Sequence, residues 1–240
     1  MPPGLSLVPS AVIFDVDGTL ADSERDGHRV AFNEAFAAAG LPYRWEAGEY
    51  GQWLRITGGR RRIAAFLRSQ GYSPPAAARL AGRLHEDKTA RFRELIQQGR
   101  IPARPGAREF IAVLRAAGLR LAIATTGTRA WVEPLLDVLF GPGTFEVVVT
   151  GDEVAALKPD PAAYREALAR LGVAPGRALA VEDSENGLRA ALAAGLTCIV
   201  VTNDYTRGQD FAGASAVLSE FPVIGAGGPW PLLPGLTRPA

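Results

Sequence analysis

The sequence predicts an α/β fold: a parallel β-sheet covered by helices, with an all-helical insert after the first strand. Residues 11–15, 119–125, 145–150, 178–182 and 197–201 are short apolar runs. Such runs suit strands buried on both faces. Helical spacing fills the gaps between several of them: Phe110, Val113, Leu114 and Ala117; Ala163, Ala167, Leu168 and Leu171; Leu188, Ala191, Leu192 and Gly195. Strands that alternate with helices imply crossover connections and a parallel sheet.

The insert is residues 22–100, where no strand pattern occurs. Its apolar positions recur at helical spacing: Val30, Ala31, Ala35 and Ala38; Ile63, Phe66 and Leu67; Leu80, Leu84, Phe92, Leu95 and Ile96. Gly40, the Gly58-Gly59 pair and Gly71 with Pro74 and Pro75 divide it into pieces. The expected domains are 1–21 with 101–240, and 22–100, with junctions near 21–24 and 99–105. The Gly- and Pro-rich tail after Pro222 is expected to pack loosely.

Composition excludes several classes. A chain of 240 residues, 48% apolar and 21% charged, is long and apolar enough to bury a core. Twenty-six basic against 25 acidic residues leave +1, which offers no general polyanion-binding surface, so no nucleic-acid partner is expected. One cysteine, Cys198, cannot form an internal disulfide. No apolar run reaches about 18 residues, so no membrane span is expected. The first ten residues hold no basic side chain and do not read as a signal peptide. The expectation is a cytoplasmic monomer. Its basic residues are 24 Arg and two Lys, Lys88 and Lys158, so each lysine merits attention.

In an open parallel sheet, ligands bind at the carboxyl ends of the strands. Asp15 and Asp17 fall at the end of the first strand, Thr125 and Thr126 at the second, and Glu182 and Asp183 at the fourth. Lys158 precedes the fourth. Acids converging on one rim repel each other and need a cation. Carboxylate oxygens suit Mg²⁺, with Asp15, Asp17, Glu182 and Asp183 as candidate ligands, Asp17 through its main-chain carbonyl. Thr125, Thr126 and Lys158 suit a phosphate beside it. Asp15 can attack phosphorus to form an aspartyl-phosphate. Asp17 can protonate the departing alkoxide and later deprotonate water.

Plainer readings exist for each residue. Aspartates cap turns, Thr125 is an ordinary strand residue type, and Glu182 and Asp183 could cap a helix starting near Asn186. Three adjacent arginines, Arg60 to Arg62, cannot all face one site on a helix. A phosphorylated signalling receiver shares the acid cluster, Thr and Lys, but lacks both a large insert and an acid two residues past the phosphoacceptor.

Taken in order, Asp15-Val-Asp-Gly-Thr-Leu20, Thr125 after a strand, Lys158-Pro159 and Glu182-Asp183 resemble the four motifs of the haloacid dehalogenase-like phosphatases. The resemblance implies a Rossmann-like core with a C1-type cap, Mg²⁺ as cofactor and phosphoric monoester hydrolysis. Asp22-Ser-Glu-Arg-Asp-Gly-His-Arg29, the Thr57–Ile63 segment and Glu182-Asp-Ser-Glu-Asn-Gly-Leu188 are similar to the CbbY-type sugar phosphatases, which are associated with the Calvin cycle and dephosphorylate xylulose-1,5-bisphosphate. That similarity implies substrate contacts from Glu24, His28, Gly59, Arg60 and Arg62. The chain departs from the subgroup's Gly-Gly-Lys-Glu-Arg at Gly59-Arg60-Arg61-Arg62. The β-phosphoglucomutase-like phosphotransferases and phosphoglycolate phosphatases share the four motifs and are the alternative.

Overall fold

The computed structural model describes residues 9–56 and 58–222. The chain divides into two compact units, Met1–Ala21 with Ala103–Ala240, and Asp22–Pro102. The expectation of a loosely packed tail falls mostly on residues outside those described.

The first unit is an α/β layer structure. Among the described residues its six strands are β1 (Ala11–Phe14), β2 (Arg120–Ala124), β3 (Val147–Val149), β4 (Ala178–Glu182), β5 (Thr197–Val201) and β6 (Ala216–Leu218). They form one sheet in the order β3-β2-β1-β4-β5-β6, with every pairing parallel. The order reverses between β1 and β4, which is where this class of sheet opens a crevice at its carboxyl ends. Helices α5 (Ala107–Ala116), α6 (Arg129–Phe140), α7 (Ala162–Leu171) and α8 (Glu185–Ala193) connect the strands.

Strand periodicity sorts the core. Ala11 and Ile13 of β1 join Ala163, Tyr164, Ala167 and Leu171 of α7 and Leu188 and Ala191 of α8 in one buried cluster. Phe14 meets Phe110 of α5 edge-on at 6.2 Å. On α8, Leu192 and Gly195 are not on the buried face as expected; Leu192 is exposed and Ala190 is buried instead. A helix of this length presents its buried stripe through 187, 188, 190 and 191, and the 3.6-residue period carries 192 outward. The helix begins at Glu185, and Ser184 caps it by accepting from Gly187 N at 3.2 Å.

Among the described residues the second unit's regular elements are all helical: a π-helical turn over Glu24–His28 runs into α1 (Arg29–Ala38), followed by α2 (Ala47–Trp53), α3 (Gly59–Ser69) and α4 (Pro74–Gln97). Its core is aromatic. Trp45 packs on Phe32, Phe36, Tyr50 and Phe66, with ring centroids 5.0–5.6 Å apart. Asn33 fixes the Trp45 backbone in two directions, accepting from its N–H at 2.7 Å and donating to its carbonyl at 2.9 Å. Among the described residues, no helix is long and apolar enough to cross a membrane.

Candidate active site

The parallel register carries the chemistry-bearing residues to one rim. Phe14 pairs with Val181, so Asp15, one step on, lies beside Glu182 at the end of β4. The Asp15 N–H closes this pairing by donating to Val181 O at 3.0 Å. Thr125 follows β2 directly, and its N–H donates to Val149 O at 3.1 Å.

Lys158 joins two of these acids. Its Nζ donates to Asp15 Oδ1 and to Glu182 Oε1, each at 2.6 Å. All three side chains are buried. Tyr164 of α7 also donates to Glu182 Oε1 at 2.6 Å. The other Glu182 oxygen accepts from Asp183 N at 3.3 Å. Asp183 in turn accepts from Asn203 Nδ2 at 2.7 Å and from the Thr19 hydroxyl at 3.4 Å. One oxygen from each of Asp15, Glu182 and Asp183 falls within 4.8 Å of the others, a spacing that could hold a metal ion.

The electrostatics show what the cluster lacks. Burial, helped by the charges of Glu182 and Asp17, pushes the Asp15 carboxyl up to about 8 against the pull of Lys158. Burial also drives Asp183 well above the carboxylate range, helped by Asp15 and Glu182 and opposed by Asn203 and Arg104. Lys158 shifts upward: Asp15 and Glu182 outweigh the burial that would lower it. Three buried carboxylates share one ammonium, and the remaining charge calls for a proton or a cation.

A turn after β1 shapes the rim. Gly18 adopts φ +76°, and a Cβ there would sit 2.5 Å from Asp183 Oδ2 and 2.7 Å from Asn203 Nδ2. Only glycine accepts both the left-handed backbone and that approach. The turn leaves Asp17 half-buried. Beyond β2, Gly127 N donates to the Thr125 hydroxyl oxygen at 3.1 Å, which leaves the hydroxyl proton available to a ligand. Thr126 is half-buried beside it.

Glu24, His28, Gly59, Arg60 and Arg62 belong to the second unit. Arg62 is buried: it donates to Tyr50 Oη at 3.0 Å and to Trp53 O at 3.1 Å. Tyr50 donates in turn to Glu24 Oε2. Arg60 and Arg61 are exposed, in keeping with the divergence of neighbours on a helix, and the Arg60 guanidinium lies over Gly82 of α4. His28 is buried, its ring 3.8 Å from that of Phe92, and its Nδ1 is 2.8 Å from Lys88 Nζ. An ammonium can only donate, so Nδ1 accepts and the ring proton sits on Nε2. Gly59 packs on His85, whose ring a Cβ would meet at 2.9 Å.

Sequence reasoning missed Tyr164, Asn203 and Arg104 at the rim, and Lys88 and His85 in the second unit. The scarcity of lysine was a signal for Lys88. Tyr164 occupied an apolar helical face and Asn203 a turn, where neither type stands out.

The family model of haloacid dehalogenase-like hydrolases matches residues 9–195. Protein CbbY of Cereibacter sphaeroides is 49% identical over 218 residues, covering 90% of this chain and 94% of that protein. The crystal structure of CbbY from Rhodobacter sphaeroides in complex with phosphate is similar at TM-score 0.80 and 47% identity, over 89% of this chain and 95% of that one. A mutant of that CbbY in complex with xylulose-1,5-bisphosphate gives TM-score 0.78 and 45% identity over the same shares. By the extent of the family match and by these identities, the chain belongs to the haloacid dehalogenase-like hydrolases, as a phosphoric monoester hydrolase.

Proposed function

We propose that this chain is a Mg²⁺-dependent sugar-phosphate phosphatase, with xylulose-1,5-bisphosphate as its substrate, and that it works through an aspartyl-phosphate on Asp15. The observation that carries this reading is Lys158 held between Asp15 and Glu182 with Asp183 in the same cluster. The donor set is all oxygen, and its charge exceeds what Lys158 neutralises, so it fits a hard divalent cation. Asp15, Glu182 and Asp183 would hold that ion through their carboxylates and Asp17 through its main-chain carbonyl, so that the Asp17 carboxyl serves proton transfer. When bound, it would neutralise charge on the carboxylates and on the phosphate oxygens.

The chain's own groups divide the remaining work. Lys158 engages Oδ1 of Asp15, so Oδ2 is the oxygen placed to attack phosphorus. The new bond is Oδ2–P, and the bond that breaks is P–O to the sugar. Asp17 gives its proton to the departing alkoxide. It then takes one from water, whose oxygen attacks the phosphorus and releases inorganic phosphate and the Asp15 carboxylate. The Thr125 hydroxyl, the Thr126 backbone and the Lys158 ammonium hold the phosphate oxygens through both steps.

Recognition of the sugar and its second phosphate falls, in this reading, to Glu24, His28, Gly59, Arg60 and Arg62. Arg60 is the exposed cation of the set, whereas Arg62 acts by holding Tyr50 against Glu24.

The test is phosphate release with Mg²⁺ from xylulose-1,5-bisphosphate, phosphoglycolate, sugar monophosphates and p-nitrophenyl phosphate. The bisphosphate should give the highest kcat/KM. Arg60→Ala should lower that value about ten- to a hundredfold, the scale of one charge-assisted bond, and leave p-nitrophenyl phosphate unchanged. Conversion of a sugar phosphate to its isomer without free phosphate would show a phosphotransferase instead.

A further inference from the structure

The turn that follows Asp15 is held from outside by two residues to which the proposed reaction assigns no step. We infer that Asn203 and Arg104 form a positioning clamp that sets the metal affinity of the acidic cluster, acting through Gly18 and Asp183. The inference rests on the metal-site reading above.

Asn203 follows β5, and hydrogen bonds within its own turn fix its side chain. Its Oδ1 accepts from Tyr205 N at 2.9 Å, and its backbone N donates to the Thr206 hydroxyl oxygen at 3.0 Å. This local turn aims Nδ2 at the rim, where it donates to Asp183 Oδ2 at 2.7 Å and to Gly18 O at 3.2 Å. One amide group therefore fixes both a candidate ligand carboxylate and the turn beside it.

Arg104 grips the same turn from the other side. Its Nη1 donates to Gly18 O and to Val201 O, each at 2.8 Å, and its Nη2 donates to Thr202 O at 2.7 Å. Its own backbone N donates to Leu20 O at 2.9 Å. The guanidinium is buried, so a full positive charge stands within the electrostatic reach of Asp183. Gly18 O is the shared point: it accepts from Arg104 and Asn203 together. A planar fork can serve three carbonyls in this way, and a lysine cannot.

A cluster of repelling carboxylates binds a cation tightly only when its geometry is fixed in advance. Loss of the clamp should therefore act on metal binding before it acts on phosphate chemistry. The experiment is calorimetric titration of Mg²⁺ into substrate-free protein for the wild type, Asn203→Leu, Asn203→Ser, Arg104→Lys and the Asn203→Leu/Arg104→Lys double variant. Asn203→Leu keeps the volume and removes the donor. Asn203→Ser is the milder change should the leucine variant fail to fold.

Each single variant should raise the Mg²⁺ Kd about tenfold or more. The rise in melting temperature on adding Mg²⁺ should shrink in parallel. Because both residues act through Gly18, the double variant should lose less than the sum of the single losses. At saturating Mg²⁺, kcat should recover to within a few-fold of wild type. Folded variants that bind Mg²⁺ as the wild type does, or a double variant with strictly additive losses, would overturn the clamp. A wild type that binds no Mg²⁺ would overturn the metal-site reading itself, and the clamp with it.

Discussion

Lys158 Nζ lies 2.6 Å from Asp15 Oδ1 and the same distance from Glu182 Oε1, so one buried ammonium bridges the ends of β1 and β4. Removing it strands two buried carboxylates. Lys158→Met should destabilise the protein by about 3–5 kcal/mol at neutral pH in the absence of metal. The loss should grow at pH 9, because Asp15 sits at about 8 even against the pull of Lys158 and at neutral pH a proton already takes part of the ammonium's place, and Mg²⁺ should restore more stability to the variant than to the wild type. Urea unfolding at both pH values, with and without Mg²⁺, checks this.

Gly187 offers a sharper steric test. A Cβ at this position would fall 1.9 Å from Glu182 Oε2. Gly187 is helical, and its backbone conformation is open to alanine. Gly187→Ala should therefore leave α8 intact and push the Glu182 carboxylate away from Lys158 and Tyr164. A displacement of that size costs on the order of 10²-fold in rate. Steady-state kinetics beside circular dichroism separates the two effects.

Acid stability should depend on Glu153. Burial alone would raise its carboxyl, but bonds from the Thr150 N–H and hydroxyl, with Arg170 and Arg129, outweigh that and hold it at about 2. Its pKa is depressed from an ordinary 4.5, so its contribution is complete above pH 4.5 and is lost as pH falls towards 2. Glu153→Gln should flatten the wild-type loss of stability across that window and leave the loss at higher pH unchanged. Thermal melts from pH 2 to 6 give the comparison.

Arg60 and Arg62 should separate by phenotype despite their adjacency. Arg62 is buried against Tyr50 and Trp53, so Arg62→Ala should cost about 1–3 kcal/mol through the partners it leaves. Arg60 is exposed, and Arg60→Ala should change stability by less than about 0.5 kcal/mol. Denaturant midpoints of the two variants measure the difference.

The sheet was legible because buried parallel strands are apolar throughout and end abruptly in polar residues. Asp15 after Ala-Val-Ile-Phe and Glu182 after Ala-Leu-Ala-Val are such endings. Strand β6 was not legible: Ala216–Leu218 is three residues long, and Val217 is exposed at the sheet edge. Helix α2 escaped because its Ala-Gly-Glu-Tyr-Gly-Gln-Trp sequence buries only Tyr50 fully and shows no period. Helix α6 was hidden by Pro134 within a nearly continuous apolar stretch. At the rim, the carboxylates and Lys158 were readable from type and position. Asn203 and Arg104 were not, because both reach the rim at a backbone carbonyl, Gly18 O, that no residue type announces. Arg60 and Arg62 were read as a pair, and only the helical turn between Gly59 and Ile63 separates an exposed side chain from a buried one.

The most direct measurement is acid-quench trapping of the phosphoenzyme with Mg²⁺ and xylulose-1,5-bisphosphate, followed by mass analysis of the peptides. The account predicts one phosphoryl group on the peptide carrying Asp15 in the wild type. It predicts none in Asp15→Asn, together with loss of turnover on every substrate. Phosphate on another peptide, or turnover that survives Asp15→Asn, would contradict it.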